Sequence, residues 1–175
     1  MTGVRRLLVV LGLLVAGCLV FAGRALAQPG AAPALELTAG YAGFADDATI
    51  AHGLVGGLAR WSLTPRLSIG PEITYMRGPG FDRDLFVTGN VTFDLVSRPA
   101  PRPGLVVPYV LGGAGFSRHF DRFGPLRFAS SEGAFTAGGG ARVWVTRRVY
   151  VGAEARFGWE LHTRLAGTVG VQFGG

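Results

Sequence analysis

The sequence predicts an all-β protein, an eight-stranded antiparallel up-and-down transmembrane β-barrel, and three observations support this fold class. The first is strict alternation of apolar and polar residues, the period-2 pattern of a strand with two different faces. The second is an N-terminal segment with the three parts of a secretory signal. The third is that 49% of the residues are hydrophobic, yet no apolar run after that signal approaches the roughly 20 residues of a spanning helix.

The alternation is clearest in the last third of the chain, residues 135–173. One face of each run is apolar, and the other mixes charged residues with glycine. A soluble sheet would bury such an apolar face against a core. Because no helical pattern follows to cover it, a membrane barrel is favoured, with apolar side chains toward lipid and polar ones toward the lumen. The apolar face of the most regular run carries Val149, Val151, Ala153, Ala155, Phe157 and Trp159.

Eight runs of this kind follow one another, joined by links of hairpin length. A long loop is expected from Arg118 to Glu132, where the alternation weakens. Pro71 lies inside the third run, and a mid-strand proline cannot donate to its ladder. A bulge or a late strand start is therefore expected there. The predicted strands cover about residues 34–45, 50–63, 67–76, 84–96 and 106–118, with three more in 135–173.

Residues 1–27 read as a signal peptide, with a basic start, an apolar stretch and the small-x-small cleavage site Ala25-Leu26-Ala27. Cleavage there leaves a short linker at 28–33 and a barrel domain at 34–175. Two alternatives stay open. Cleavage before Cys18 would put a lipid on that cysteine, although an apolar segment follows it where a polar tether is usual. The segment could also stay as a membrane anchor, which Arg24 disfavours.

Composition and motifs exclude several classes of function. Cys18 is the only cysteine, so a disulfide framework or a thiolate metal site is not expected. The formal net charge of +6 falls to 14 − 11 = +3 without Arg5, Arg6 and Arg24 of the signal, and this thin, dispersed charge does not indicate nucleic-acid binding. His52 and His162 stand alone without zinc-ligand spacing, and the glycines at 138–140 precede no helix, so they form no phosphate loop. No catalytic residue, cofactor or metal ion is therefore expected.

Seven charged residues at polar strand positions are predicted to fill the lumen. An eight-stranded barrel is just wide enough for side chains to fill, and buried charges need partners of opposite sign. Glu154 is expected to pair with Arg142, Arg60 or Arg156. The predicted lumen network comprises Glu36, Arg60, Glu72, Asp94, Arg142, Glu154 and Arg156.

The segment 118–128 interleaves arginine with phenylalanine. It could contact lipopolysaccharide phosphates or a surface partner. It could instead extend the strands and place its aromatics in the interface girdle, and this second interpretation is favoured. The candidate contact residues are Arg118, His119, Phe120, Arg122, Phe123 and Arg127.

The signal, the eight alternating runs and the hairpin of residues 138–156 resemble the small OmpA/OmpX-type outer-membrane β-barrel family. The resemblance covers nearly all of the chain after residue 27. It implies a monomer in the outer membrane that contacts outer-membrane lipid and lipopolysaccharide and is inserted by the barrel-assembly machinery. Chains of that family usually end on an aromatic residue, whereas here Gly174 and Gly175 follow Phe173.

The function expected from these features is a non-enzymatic structural or surface-interaction role. One alternative is an outer-membrane lipid-modifying hydrolase that uses Ser117 and His119. The lipid A deacylases, however, carry a His-x-Ser pair, and here the order is Ser-x-His. The other alternative is a secreted lipocalin-like barrel that binds a small apolar ligand, which would require a polar exterior.

Overall fold

The computed structural model describes residues 33–45, 49–97, 101–123, 126–159 and 162–173. In this part of the chain, no helix is long and apolar enough to cross a membrane. The signal, the linker residues 28–32 and Cys18 lie outside the described residues. The described strands are β1 (Ala34–Ala45), β2 (Thr49–Ser62), β3 (Leu67–Arg77), β4 (Arg83–Asp94), β5 (Val106–Phe123), β6 (Leu126–Trp144), β7 (Val149–Gly158) and β8 (His162–Gln172).

The strands close into a barrel in which each one pairs antiparallel with its sequence neighbour. The ring is closed by β1 and β8, where Leu35 lies opposite Val171. Closure leaves no strand edge unpaired within the ring of eight strands. The predicted eight-stranded up-and-down barrel is confirmed. We call the end that holds Ala34 and Gln172 the terminal end, and the end with the β1–β2, β3–β4, β5–β6 and β7–β8 connections the distal end.

The apolar residues face outward and the polar ones inward, as predicted. Leu37 and Tyr41 are 71% and 72% exposed, whereas the lumen-facing Glu36, next to Leu37 in the chain, is 2% exposed. On β7, Ala153 is exposed and its neighbour Glu154 is buried. This inverted distribution is that of a barrel whose outer wall meets lipid, and it contradicts the lipocalin-like alternative, which needs a polar exterior.

The prediction of a long loop from Arg118 to Glu132 is wrong. β5 continues to Phe123 and β6 begins at Leu126. The pair Arg118 and Ser131 belongs to the same β5–β6 ladder that starts near the terminal end. The favoured interpretation of this segment, a strand extension, agrees with the structure. The alternation weakens here because a hairpin that projects beyond the barrel rim has no lipid on one face.

The bulge or late start predicted at Pro71 is also wrong. β3 starts at Leu67, and its register with β2 is the same on both sides of the proline, because Leu58 pairs with Glu72 and Trp61 with Ile69. Pairing with β2 lapses only at the two residues between, where proline has no N–H to donate. The ladder with β4 continues through Pro71 without a break.

Candidate functional site

The lumen is filled by side chains in layers that follow from strand position. At the terminal end, Val107, Trp144 and Tyr150 form an apolar layer with Leu105. Two layers of charged residues come next. Above them, toward the distal end, lies a second apolar layer formed by Ala42, Leu54, Met76, Phe86, Ala134 and Ala166, with Phe44 packed against it.

The first charged layer lies next to the terminal apolar layer and contains Glu36, Arg60, Asp94 and Arg142. Tyr150 Oη donates to Glu36 Oε2 at 2.9 Å and accepts from Arg60 Nη2 at 2.7 Å. Arg142 Nη1 donates to Asp94 Oδ1 at 3.0 Å, and its Nε lies 3.7 Å from Glu36 Oε2. The Arg142 guanidinium also lies 3.9 Å from the centroid of the Tyr109 ring, a cation–π contact.

The second charged layer contains Glu72, Glu154, Arg156 and Arg164, in which each arginine bridges both carboxylates. Arg156 Nη1 donates to Glu72 Oε2 at 2.6 Å and its Nη2 donates to Glu154 Oε2 at 2.9 Å. Arg164 Nη2 contacts Glu72 Oε1 at 2.5 Å and Glu154 Oε1 at 2.8 Å. Two acids and two bases make this layer formally neutral, as they do the first.

All seven residues predicted for the lumen are buried inside the barrel: Glu36, Arg60, Glu72, Asp94, Arg142, Glu154 and Arg156. The pairing is only partly as expected. Glu154 contacts Arg156, but its second basic partner is Arg164 instead of Arg142 or Arg60. Arg164 is not among the seven predicted residues. It lies directly opposite Arg156 across β7 and β8, a cross-strand pairing that only the barrel register shows.

A second group of polar side chains lies at the distal mouth, above the distal apolar layer. His52 Nε2 is 2.8 Å from Asp82 Oδ2 and 3.5 Å from Asp84 Oδ2. His119 Nδ1 is 2.7 Å from Asp84 Oδ1. We call these four residues the mouth cluster. The expectation that His52 stands alone is wrong, because its partners lie on other strands and loops that only the barrel register brings together.

Three arginines form an exposed face on the outer wall at the distal end. Arg77 of β3 pairs directly with Arg83 of β4, and Arg118 of β5 lies opposite Leu85, next to Arg83 on the same face. The Arg118 guanidinium lies 5.1 Å from the centroid of the Phe120 ring. We call Arg77, Arg83 and Arg118 the arginine face.

The candidate contact residues of segment 118–128 therefore divide between two environments. Arg118 and Phe120 are exposed on the outer wall, whereas His119 belongs to the mouth cluster on the inner side. The backbones of Arg122, Phe123 and Arg127 continue the β5–β6 ladder, but their side chains lie outside the described residues.

Solved structures similar to this chain include small outer-membrane barrels. Neisserial surface protein A has a TM-score of 0.69 at 13% identity, covering 81% of this chain and 97% of its own. The N-terminal β-barrel domain of Pseudomonas aeruginosa OprF has a TM-score of 0.59 at 19% identity, over 80% and 97%. For Ail, the attachment invasion locus protein of Yersinia pestis, the values are 0.51, 12%, 82% and 96%.

The chain has the fold of the small outer-membrane β-barrels. The family resemblance inferred from the sequence is thus confirmed at the level of the fold. No protein-family description matches the sequence, and a search of curated proteins gives no match.

The hydrolase alternative gains no support from the position of its two residues. Ser117 is buried on the inner face of β5, whereas lipid lies against the outer face. The partners of the His119 ring include Asp84 and Asp82. A serine nucleophile for lipid substrates would need both a base within hydrogen-bond reach and access from the lipid side.

Proposed function

We propose that the protein is a non-enzymatic, monomeric outer-membrane barrel with a non-conducting lumen, whose contacts with other molecules lie on its outer wall and distal end. The observation that carries this proposal is the stack of layers in the lumen. Two neutral charged layers, cross-linked by arginines such as Arg156 and Arg164, lie between two apolar layers. Side chains that fill an eight-stranded barrel leave no water-filled channel. Insertion by the barrel-assembly machinery is part of the same proposal.

The arginine face supports lipopolysaccharide phosphate as a contact of the outer wall. Arg77 and Arg83 are direct cross-strand neighbours, and like charges in that position destabilise a sheet unless an anion offsets them. Arginine binds phosphate through two parallel N–H donors. The face lies at the distal rim, where an outer-membrane barrel of the usual topology meets the phosphate-bearing outer leaflet.

The closed lumen is tested by conductance. In planar bilayers, the purified protein should give no stable porin-like steps, while a 16-stranded porin with its aqueous channel serves as the positive control. Large, stable steps from the purified barrel would refute a lumen closed by four layers of side chains. Fractionation of cells without detergent should place the protein with the outer membrane, and recovery in the soluble fraction would contradict the membrane location.

The arginine face is tested by substituting its three arginines at the distal end and, as a control, two exposed arginines at the terminal end. Arg77→Gln, Arg83→Gln and Arg118→Gln combined should lower the amount of lipopolysaccharide that copurifies with the barrel. The control variant combines Arg147→Gln and Arg148→Gln, two exposed arginines of the β6–β7 turn at the terminal end. Equal lipopolysaccharide content in both variants and the wild type would exclude this contact.

A further inference from the structure

The mouth cluster has the composition and the spacing of a metal site. Its four side chains come from β2 (His52), the β3–β4 connection (Asp82), β4 (Asp84) and β5 (His119). Ligand atoms of His52, Asp82 and Asp84 all lie within 4.8 Å of one another. His119 Nδ1 contacts the same two carboxylates, at 2.7 Å from Asp84 Oδ1 and 3.7 Å from Asp82 Oδ1.

The hydrogen bond of His52 fixes which ring nitrogen faces the carboxylates. His52 Nδ1 lies 3.3 Å from the carbonyl oxygen of Ile50. A carbonyl can only accept, so Nδ1 carries a proton and donates it. Nε2 lies 2.8 Å from Asp82 Oδ2, and an ionised carboxylate also only accepts, so Nε2–H donates to it. A bound cation would take the place of this Nε2 proton. A histidine that donates one N–H to a backbone carbonyl and presents its other nitrogen is the usual arrangement around a bound metal.

The mouth cluster holds two carboxylates close together. Asp82 and Asp84 each contact a ring nitrogen of both histidines. Asp82 Oδ1 is buried and has no hydrogen-bond partner among the described residues. Buried anions are normally paired or coordinate a metal. A divalent cation placed among these atoms would satisfy Asp82 Oδ1 and balance both carboxylates.

The donor set selects the class of ion. Two imidazoles and two carboxylates suit zinc and neighbouring first-row metals, whereas calcium and magnesium favour oxygen ligands alone. Zinc binds nitrogen and carboxylate oxygen at about 2.0–2.2 Å in a tetrahedron, which puts its ligands about 3.3 Å apart. The four nitrogen–oxygen distances between the histidines and the aspartates run from 2.7 to 3.7 Å.

The surroundings hold the ligands in place and leave one side open. The Phe44 ring packs edge-on against His52, with centroids 4.7 Å apart. Gly78 borders the cluster, and a Cβ at that position would lie 2.5 Å from His52 Nε2 and 2.6 Å from Asp82 Oδ2. The His52 side chain is 3% exposed, whereas that of His119 is 43% exposed. An ion would therefore enter from the His119 side, and the distal apolar layer below blocks its passage into the lumen.

We propose that His52, Asp82, Asp84 and His119 bind one zinc-class divalent transition-metal ion at the distal mouth of the barrel. The site is a binding site and not a transport path, and it is independent of the lipopolysaccharide contact on the outer wall.

The test is a zinc titration of the untagged protein in detergent micelles, in competition with a chromophoric chelator. The wild type should bind one zinc ion per chain. Cobalt in the same site should give the visible absorption of a four-coordinate ion. His119→Gln and Asp84→Asn should each weaken zinc binding at least about tenfold, the lower limit seen even for outer-shell partners. Glu132→Gln is the matched control, because Glu132 is an exposed carboxylate outside the cluster at the same end of the barrel.

His52→Gln would be the most direct change, but His52 is buried and the variant could fail to fold. His119 is exposed at the rim, so His119→Gln keeps the proposal testable, and circular dichroism verifies the β structure of each variant. A wild type that takes up no zinc would overturn the proposal and leave the cluster as a set of histidine–aspartate ion pairs. Zinc affinity unchanged in both His119→Gln and Asp84→Asn would overturn it as well.

Discussion

The second charged layer gives the sharpest test of how the lumen is held together, through the substitution Glu72→Gln. Glu72 accepts hydrogen bonds from both arginines of the layer and from Asn90 Nδ2 at 2.9 Å and Thr74 Oγ1 at 3.0 Å. Glutamine keeps the shape of the side chain but removes its charge. The variant leaves Arg156 and Arg164 with Glu154 as their one remaining carboxylate in this layer.

The expected loss follows from burial. Glu72, Arg156 and Arg164 are each no more than 3% exposed, so solvent screens their charges little. Removing one partner of a buried ion pair costs about 3–5 kcal/mol, because the other charge stays buried and uncompensated. Glu72→Gln should therefore lower the free energy of unfolding by about that amount. Glu132→Gln, the same change at an exposed site, should stay within about 0.5 kcal/mol.

The assay is reversible urea unfolding in lipid vesicles, arranged as a double-mutant cycle. Arg164→Met removes the charge with an unbranched apolar side chain, and the double variant Glu72→Gln/Arg164→Met restores neutrality. Contacting buried residues couple by about 0.5–3 kcal/mol, so the double variant should be more stable than the sum of the two losses implies. Additive losses, or a loss below about 1 kcal/mol for Glu72→Gln alone, would refute a layer held by mutual neutralisation.

Two further substitutions test the register of the wall and the packing of the lumen. Ala153→Arg puts a charge on the lipid face near the middle of β7 and should cost about 2–4 kcal/mol of folding free energy in bilayers. Thr163→Arg, on the same face near the distal rim, should cost about 0–1 kcal/mol. Equal costs would contradict the placement of Ala153 near the bilayer midplane and of Thr163 near its edge. A Cβ on Gly170 would lie 2.0 Å from the Tyr150 ring, so Gly170→Ala should lose about 1–3 kcal/mol by overpacking. Gly167→Ala on the outer face of the same strand, where the nearest atom is 3.9 Å away, is the control, and urea unfolding in which it loses as much would contradict this packing.

The sequence was sufficient for the wall of the barrel because lipid imposes a strict pattern on it. The bounds predicted for β1, residues 34–45, are those observed, and the assignment of Ala153 outward and Glu154 inward holds. Each outward position has to be apolar and each inward one has to fit the lumen, so a one-residue error would reverse every assignment.

The same dependence explains the missed part of β5 and β6. Beyond Phe120 on β5 and before Thr136 on β6, the described residues of the hairpin have no ladder partner on β4 or β7, and Ser130, Ser131 and Glu132 are all exposed. A strand with water on both faces carries no apolar alternation. The pattern used to find strands therefore disappears there, although the backbone ladder continues to the pair Phe123 and Leu126.

The mouth cluster could not be found from spacing, because its members are far apart in sequence. His52 and Asp82 are 30 residues apart, and Asp84 and His119 are 35 apart. Metal motifs read from sequence rely on ligands a few residues apart on one element. The feature of the sequence that could have indicated the cluster is Gly78. It directly follows Arg77, which forms the last β2–β3 pair with Gly53. Because Gly78 has no side chain, His52 has room to reach the carboxylates beyond β3.

The arginine face and the mouth cluster lie close together at the distal end, although one suits anions and the other suits cations. The period-2 geometry of the wall keeps them on opposite faces. Arg83 and Asp84 are consecutive residues of β4, so their side chains point to opposite faces. Arg118 and His119 repeat this arrangement on β5, across the ladder from Leu85 and Asp84. The proposed phosphate contact of the arginines therefore lies on the lipid side, and the proposed metal site of the aspartates lies at the mouth. With four layers of side chains in the lumen below, both proposed ligands would act at this rim and not through the barrel.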